Sequence, residues 1–182
     1  MILLILGILL WWGAHLFKRL APAARANLGD KGKGPIALVL FGSLALMVLG
    51  YRGSDVYDLA APPAALRHIN NLLMLIALFM MSPAAKKGRL LHGMRHPMLM
   101  GVGTWALAHL LVNWDIASFL LFGSMLIWAV VEIKVINRAE PDWAPGPQGT
   151  LSKDAMFLVG SIVLLGVIGY VHSLAGLVPF GG

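Results

Sequence analysis

No cysteine occurs among the 182 residues. That absence removes disulfides, thiolate catalysis, cysteine-held iron–sulfur clusters and cysteine-rich zinc sites, and it leaves the redox compartment open. Any metal must be held by His, Met or carboxylate. Charge is also scarce, at 12% of residues, and acidic residues number only 8. Against this scarcity stand 59% hydrophobic residues and a mean hydropathy of +0.81, which do not describe a soluble core. The chain reads as an all-α, polytopic integral membrane protein, one transmembrane domain over residues 1–182, with the lipid bilayer as its main partner. The formal charge of +6 does not point to nucleic acid, because no basic stripe interleaved with aromatics accompanies it.

Six apolar stretches, 1–17, 35–51, 68–82, 97–113, 116–131 and 155–172, predict about six transmembrane helices in a bundle, each near the short end of the roughly 17–25 residues that span a bilayer. Turn residues punctuate them: Pro35, Pro62–Pro63, Pro83, Pro97, and the run from Pro141 to Gly149. Asn113, Trp114 and Asp115 make the only tight connection, a helical hairpin. Basic residues segregate by loop. Lys18, Arg19, Arg25, Lys31 and Lys33 fill the first, Lys86, Lys87, Arg89 and Arg95 the third, and Lys134, Arg138 and Lys153 the fifth, which leaves only Arg52 and Arg67 for the second. By the positive-inside rule the odd loops are cytoplasmic and both termini face outward. The first stretch is read as an uncleaved span, since its basic residues follow the apolar run instead of preceding it.

The stretch from Arg95 to His109 carries the most chemistry. An imidazole twelve residues into an apolar segment is costly unless ligated or hydrogen-bonded, so His109 marks a candidate cofactor site. Trp105 precedes His109 by four residues and Trp11 precedes His15 by four, so each histidine shares a helix face with an indole. Gly101 and Ala108 near the same face leave room for a flat macrocycle, or serve ordinary helix packing. Neutral imidazole suits haem iron, whereas zinc wants three convergent ligands and no His-Glu-x-x-His pattern occurs. His92 and His172 read as interfacial residues. Asn70 and Asn71 are placed to bond a neighbouring helix or line a pocket near His68. Glu132 reads as a surface residue pairing with Lys134 and Arg138 beyond the membrane. The ten methionines read as packing residues.

Gly13, His15, Arg25, Ala26, Leu28, Gly29 and Gly32, followed by Arg95-His96-Pro97-Met98, Gly101 and Trp105 through His109, resemble the NnrU family of bacterial inner-membrane proteins over roughly residues 7–140. The resemblance implies a multi-pass protein of the bacterial inner membrane, associated with nitrite and nitric-oxide reduction and with redox or assembly partners of that chemistry. The family is similar to the haem-containing zeta-carotene isomerase. There the residues matching His15 and His109 are axial ligands of haem b, and this implies the same pair here, with Arg95, His96 and Trp105 around the cofactor. Ala106 stands where the isomerase has a cysteine, so a swap to a thiolate ligand is ruled out. A haem-dependent cis-trans isomerase of a carotenoid-like polyene is the second function the resemblance implies.

A helical rise of about 1.5 Å per residue puts His15 roughly 5 Å and His109 roughly 20 Å inside the basic boundary, an offset of about 15 Å. Depth by itself pairs His68 with His109, or His15 with His96. Arg95, His96, Pro97 and Gly101 also resemble the Arg-His-Pro-x-Tyr-x-Gly signature of isoprenylcysteine carboxyl methyltransferase-like enzymes, which hold S-adenosylmethionine. Leu99 replaces the tyrosine, and the paired downstream glutamates are reduced to Glu132 and Glu140.

The charge asymmetry predicts Asp55 and Gly182 on the periplasmic side and Lys87 in the cytoplasm. In a chain without native cysteine, a cysteine introduced at 55 should react with an impermeant maleimide in cells whose inner membrane is intact, and one at 87 only after that membrane is opened. The reverse pattern overturns the orientation.

Overall fold

The computed structural model describes residues 1–55 and 57–180, so the expected outward position of Gly182 lies outside the described residues. Eight α-helices and one 3-10 turn make up these residues, with no strand among them: α1 Ile2–Leu20, α2 Pro22–Leu28, the turn Gly29–Gly32, α3 Lys33–Arg52, α4 Leu66–Met81, α5 Ala84–Lys87, α6 Pro97–Val112, α7 Ile116–Ala139 and α8 Leu151–Leu174. Local chemistry sets their starts. Pro22 and Pro97 occupy first-turn positions, where a missing N–H costs nothing. Asp115 caps α7 by accepting from Ser118 N at 2.8 Å, and Thr150 caps α8 with its hydroxyl toward Lys153 N.

Each of the six expected apolar stretches is a long helix, but among the described residues four spans are long and apolar enough to cross a membrane: Ile2–Leu20, Pro22–Arg52, Ile116–Ala139 and Leu151–Leu174. The other two, α4 and α6, are 16 residues each. At about 1.5 Å per residue they measure about 24 Å, less than the roughly 30 Å of a hydrocarbon core. α7 runs eight residues past the expected stretch ending at 131, because its backbone ladder continues through Lys134 and Arg138 regardless of their polarity.

The helices pack side by side in the order α3, α1, α7, α6, α4, α8, with α7 also touching α3. Leu4, Ile8, Met47, Ala106, Phe122, Met125, Trp128 and Ala129 form the main core, on both flanks of α7. Large apolar side chains such as Leu38 and Phe41 point outward, as a lipid-facing surface requires. The connections tie the two ends together. At the end carrying Asp55, Asp58 and Asp115, called the acidic end below, Leu59 N donates to Trp114 O at 2.8 Å, and Tyr51 Oη lies 2.7 Å from Ser118 Oγ. At the opposite, basic end, the buried Asp154 carboxylate accepts from Arg89 N at 2.7 Å and Leu90 N at 3.1 Å, locking the start of α8 to the loop after α5.

α1 and α3 approach through glycine. A Cβ on Gly7 would lie 2.7 Å from Met47 N and 2.8 Å from Ser43 O, and one on Gly50 would run into the backbone of Leu3 and Leu4. Gly42, on the same helix as Gly50, faces open space. Gly50→Ala is therefore expected to destabilise the purified protein by about 1–3 kcal/mol through overpacking, while Gly42→Ala leaves thermal unfolding unchanged or raises its midpoint. Equal midpoints for the two variants would contradict the close α1–α3 contact.

Candidate functional site

The imidazoles separate by which ring nitrogen is committed. His15 Nδ1 lies 3.0 Å from Trp11 O, His109 Nδ1 2.9 Å from Trp105 O, and His172 Nδ1 2.8 Å from Ile168 O. A carbonyl only accepts, so in each ring Nδ1 carries a proton, and it is Nε2 that has the lone pair when the imidazole is neutral. Those three Nε2 atoms have no hydrogen-bond partner among the described residues, which is the condition in which imidazole ligates a metal. His92 and His96 are committed the other way, through Nε2 to Gly146 O and to Asn137 Oδ1, each at 2.7 Å. His68 is exposed at the start of α4 and makes no side-chain bond among the described residues.

Aromatic walls surround His15 and His109. The His15 ring lies 4.2 Å from Trp11 and 4.8 Å from Trp128, centroid to centroid. His109 is stacked on Phe122 at 4.4 Å and tilted against Trp105 at 5.1 Å. Both cages thus use α7, through residues six apart, or about 9 Å of helical rise. The two rings do not touch. Their directions converge, however. Arg19 meets Glu140 at the basic end, so α1 runs parallel to α7, and the Asn113–Asp115 hairpin makes α6 antiparallel to both. Helical side chains lean toward their own N-terminus, and the bonds to Trp11 and Trp105 enforce that lean. His15 is therefore directed toward the acidic end and His109 toward the basic end, and the offset falls below the 15 Å or so read from depth.

None of the ring contacts joins His68 to His109 or His15 to His96. His172 and His109 lie within electrostatic reach of each other, on two helices that both pack on α4. No cluster of three or more His, Asp or Glu side chains gathers to hold a metal ion among the described residues.

Two features of the site differ from expectation. Glu132 is not a surface partner of Lys134 and Arg138 but is buried, 8% exposed, with no ion pair and an unpartnered Oε2. The reason is angular: Lys134 and Arg138 lie about 200° and 240° around the helix from it, whereas Glu132 follows Trp128 by one turn on the buried arc. Gly101 and Ala108 do not open a space for a macrocycle. A Cβ on Gly101 would meet Met81 Cγ at 2.7 Å and Ala77 O at 2.9 Å, and Ala108 O accepts from Asn70 Nδ2 at 2.8 Å, so this face of α6 is filled by α4.

The buried indole N–H groups of Trp11 and Trp128, whose rings flank His15, and of Trp12 also lack partners among the described residues. An unpartnered buried polar group costs about 1–3 kcal/mol, and a concentration of them in an apolar bundle marks where a ligand or water belongs. Glu132 and Trp128 were missed from sequence. Their one-turn spacing, an acid four residues after an aromatic in an apolar helix, was the available signal. The donor set, two imidazoles with Nε2 available, aromatic walls and unpartnered N–H donors for carboxylates, fits a haem.

At the basic end Arg19 Nη2 bonds Glu140 Oε1 at 2.8 Å, and the Arg95 guanidinium donates to the main-chain carbonyl of Glu140. With the His96–Asn137 bond, these contacts fasten α1 and the entry to α6 onto the end of α7. The hydrogen bond and charge of Arg19 hold the Glu140 carboxyl below the ordinary carboxylate range.

The sequence model of one protein family, described as NnrU protein, matches residues 3–179. No curated protein and no solved structure matches the chain.

Because the Glu140 carboxyl is more acidic in the folded chain, its contribution to stability is complete above the unfolded value near pH 4 and disappears as pH falls through the lower folded value. Glu140→Gln retains the carbonyl that Arg95 uses and loses only the charge. The small deficit in its melting temperature against the parent protein should hold from about pH 7 to 5 and close toward pH 3. A deficit that persists in acid would assign the effect to something other than this carboxylate.

Proposed function

Because this chain belongs to the NnrU family, we propose that it is a multi-pass protein of the bacterial inner membrane that binds haem b through His15 and His109 and supports nitrite and nitric-oxide reduction. In this reading all six long helices cross the bilayer, with both termini outside and the basic end in the cytoplasm, as the segregation of Lys and Arg favours. The observation that carries the haem assignment is the shared geometry of the two imidazoles. Each spends Nδ1–H on the carbonyl one turn back, each leaves Nε2 as a lone pair, and the two lean toward a common depth along α7.

The chain's own residues then divide the work. Trp105 and Phe122 flank the His109 ring, and Trp11 and Trp128 do the same for His15, so neither ring can rotate without breaking aromatic contact, and these are the residues that would hold a haem. These walls also exclude water. Haem, when bound, supplies one-electron exchange at a potential set by two neutral imidazoles and an apolar surround. The unpartnered N–H groups of Trp11, Trp12 and Trp128, and the donors of Arg95 left over from Glu140, are the groups to meet haem carboxylates.

Protein purified in detergent should show a Soret band and, when reduced, the sharp α-band of six-coordinate low-spin haem b. His109→Ala and His15→Ala should each lose haem or turn it high-spin, since no cysteine can substitute. His68→Ala and His172→Ala should retain the low-spin spectrum. Loss of haem in His172→Ala or His68→Ala with retention in His15→Ala would reject the pairing, and wild-type protein that binds S-adenosylmethionine but no haem would reject the reading altogether.

A further inference from the structure

At the basic end, Lys18 on α1, Arg25 on α2 and Lys33 at the start of α3 rim a groove of about 270 Å³. Its floor is apolar: Ala14, one turn before Lys18, and Ile36, Ala37 and Leu40, one to two turns into α3. The groove therefore combines three cations with an apolar slot formed by Ala14, Ile36, Ala37 and Leu40. The competing contacts of the rim are weak. Lys33 Nζ pairs with Asp30 at 2.7 Å, but both side chains are largely exposed, and such a pair exchanges readily for a better anion. Arg25 Nη1 donates to Gly29 O at 2.9 Å, which leaves the remaining N–H groups of its fork for another acceptor. Lys18 makes no ion pair or side-chain hydrogen bond among the described residues, and it is exposed.

A soluble anion would use the cations and have no need of the slot. An acyl chain would use the slot and have no need of the cations. One molecule uses both, a phospholipid whose phosphate sits at headgroup depth and whose chain lies between two helices, and basic pockets between membrane helices bind anionic lipid in this way. We propose that the groove between α1, α2 and α3 is a binding site for an anionic phospholipid, with Lys18, Arg25 and Lys33 on the headgroup and an acyl chain along Ala14, Ala37 and Leu40. The site stands apart from the haem reading and does not depend on it.

The test uses the delipidated full chain in detergent, titrated by native mass spectrometry with phosphatidylglycerol, with phosphatidylcholine of the same acyl chains, and with inorganic phosphate as competitor. Phosphatidylglycerol should fill one saturable site that phosphatidylcholine does not, and inorganic phosphate should not displace it. Lys18→Gln/Arg25→Gln/Lys33→Gln should weaken binding by about tenfold or more. Ala37→Trp, which keeps every charge and fills the slot, should weaken it as well, so the proposal stays testable if the triple variant fails to fold. Lys86→Gln/Lys87→Gln, which removes two charges from the same end outside the groove, should leave binding unchanged. Equal binding of phosphatidylcholine, displacement by inorganic phosphate, an unaffected Ala37→Trp, or equal weakening by Lys86→Gln/Lys87→Gln would each overturn the site.

Discussion

The hydrogen bond from an imidazole Nδ1–H to the carbonyl one turn back in its own helix is the interaction on which the candidate site depends. An apolar helix offers a buried histidine few partners, and the nearest acceptor is its own backbone. Donating that bond satisfies one nitrogen, fixes the tautomer, and swings the ring toward the helix N-terminus. The other nitrogen is left as a lone pair that nothing within the helix can reach. His15 and His109 both make this bond, and because α1 and α6 run in opposite directions it leans the two rings toward a common depth along α7.

α7 converts that local geometry into a site. It lies between α1 and α6 and gives each histidine one of its own aromatic rings, Trp128 to His15 and Phe122 to His109. Its acidic end is held by the hairpin, the Asp115 cap and Tyr51, and its basic end by Arg19, Arg95 and His96, so the rings it presents are anchored above and below. Glu132 sits on the same arc one turn beyond Trp128, buried with Oε2 unpartnered, and the indole N–H groups of Trp11, Trp12 and Trp128 are likewise unmet among the described residues. A bundle that needed only to fold would have replaced these groups with apolar ones at no loss.

Much of this was legible in the sequence, and the rest was not, for identifiable reasons. Apolar run length located all six long helices, and turn residues at Pro97 and Asn113–Asp115 placed the ends of α6, because helix starts and hairpins are decided locally. Trp11–His15 and Trp105–His109 were readable as one-face pairs for the same reason. Which neighbour a face meets is not local. Gly101 reads equally as space or as contact until α4 is seen pressed against it, and Glu132 reads as a surface residue if its charged neighbours along the chain are taken as its neighbours in space. The reach of α7 past residue 131 was missed because hydropathy ends at the membrane boundary while backbone hydrogen bonding does not. His68, favoured by depth, proved exposed, since depth along an axis carries no information on the side from which a residue points. His172, expected at a helix end with a backbone partner, lies in the last turn of α8 and bonds the Ile168 carbonyl.

The central claim is that two imidazoles of this chain, both ligating through Nε2, hold one iron. Electron paramagnetic resonance of the ferric protein, prepared with and without 15N-histidine, tests it most directly. The account predicts a low-spin signal with hyperfine coupling to two equivalent imidazole nitrogens that changes with the isotope. A high-spin signal, coupling to a single imidazole, or no iron signal from protein expressed with ample haem would contradict it.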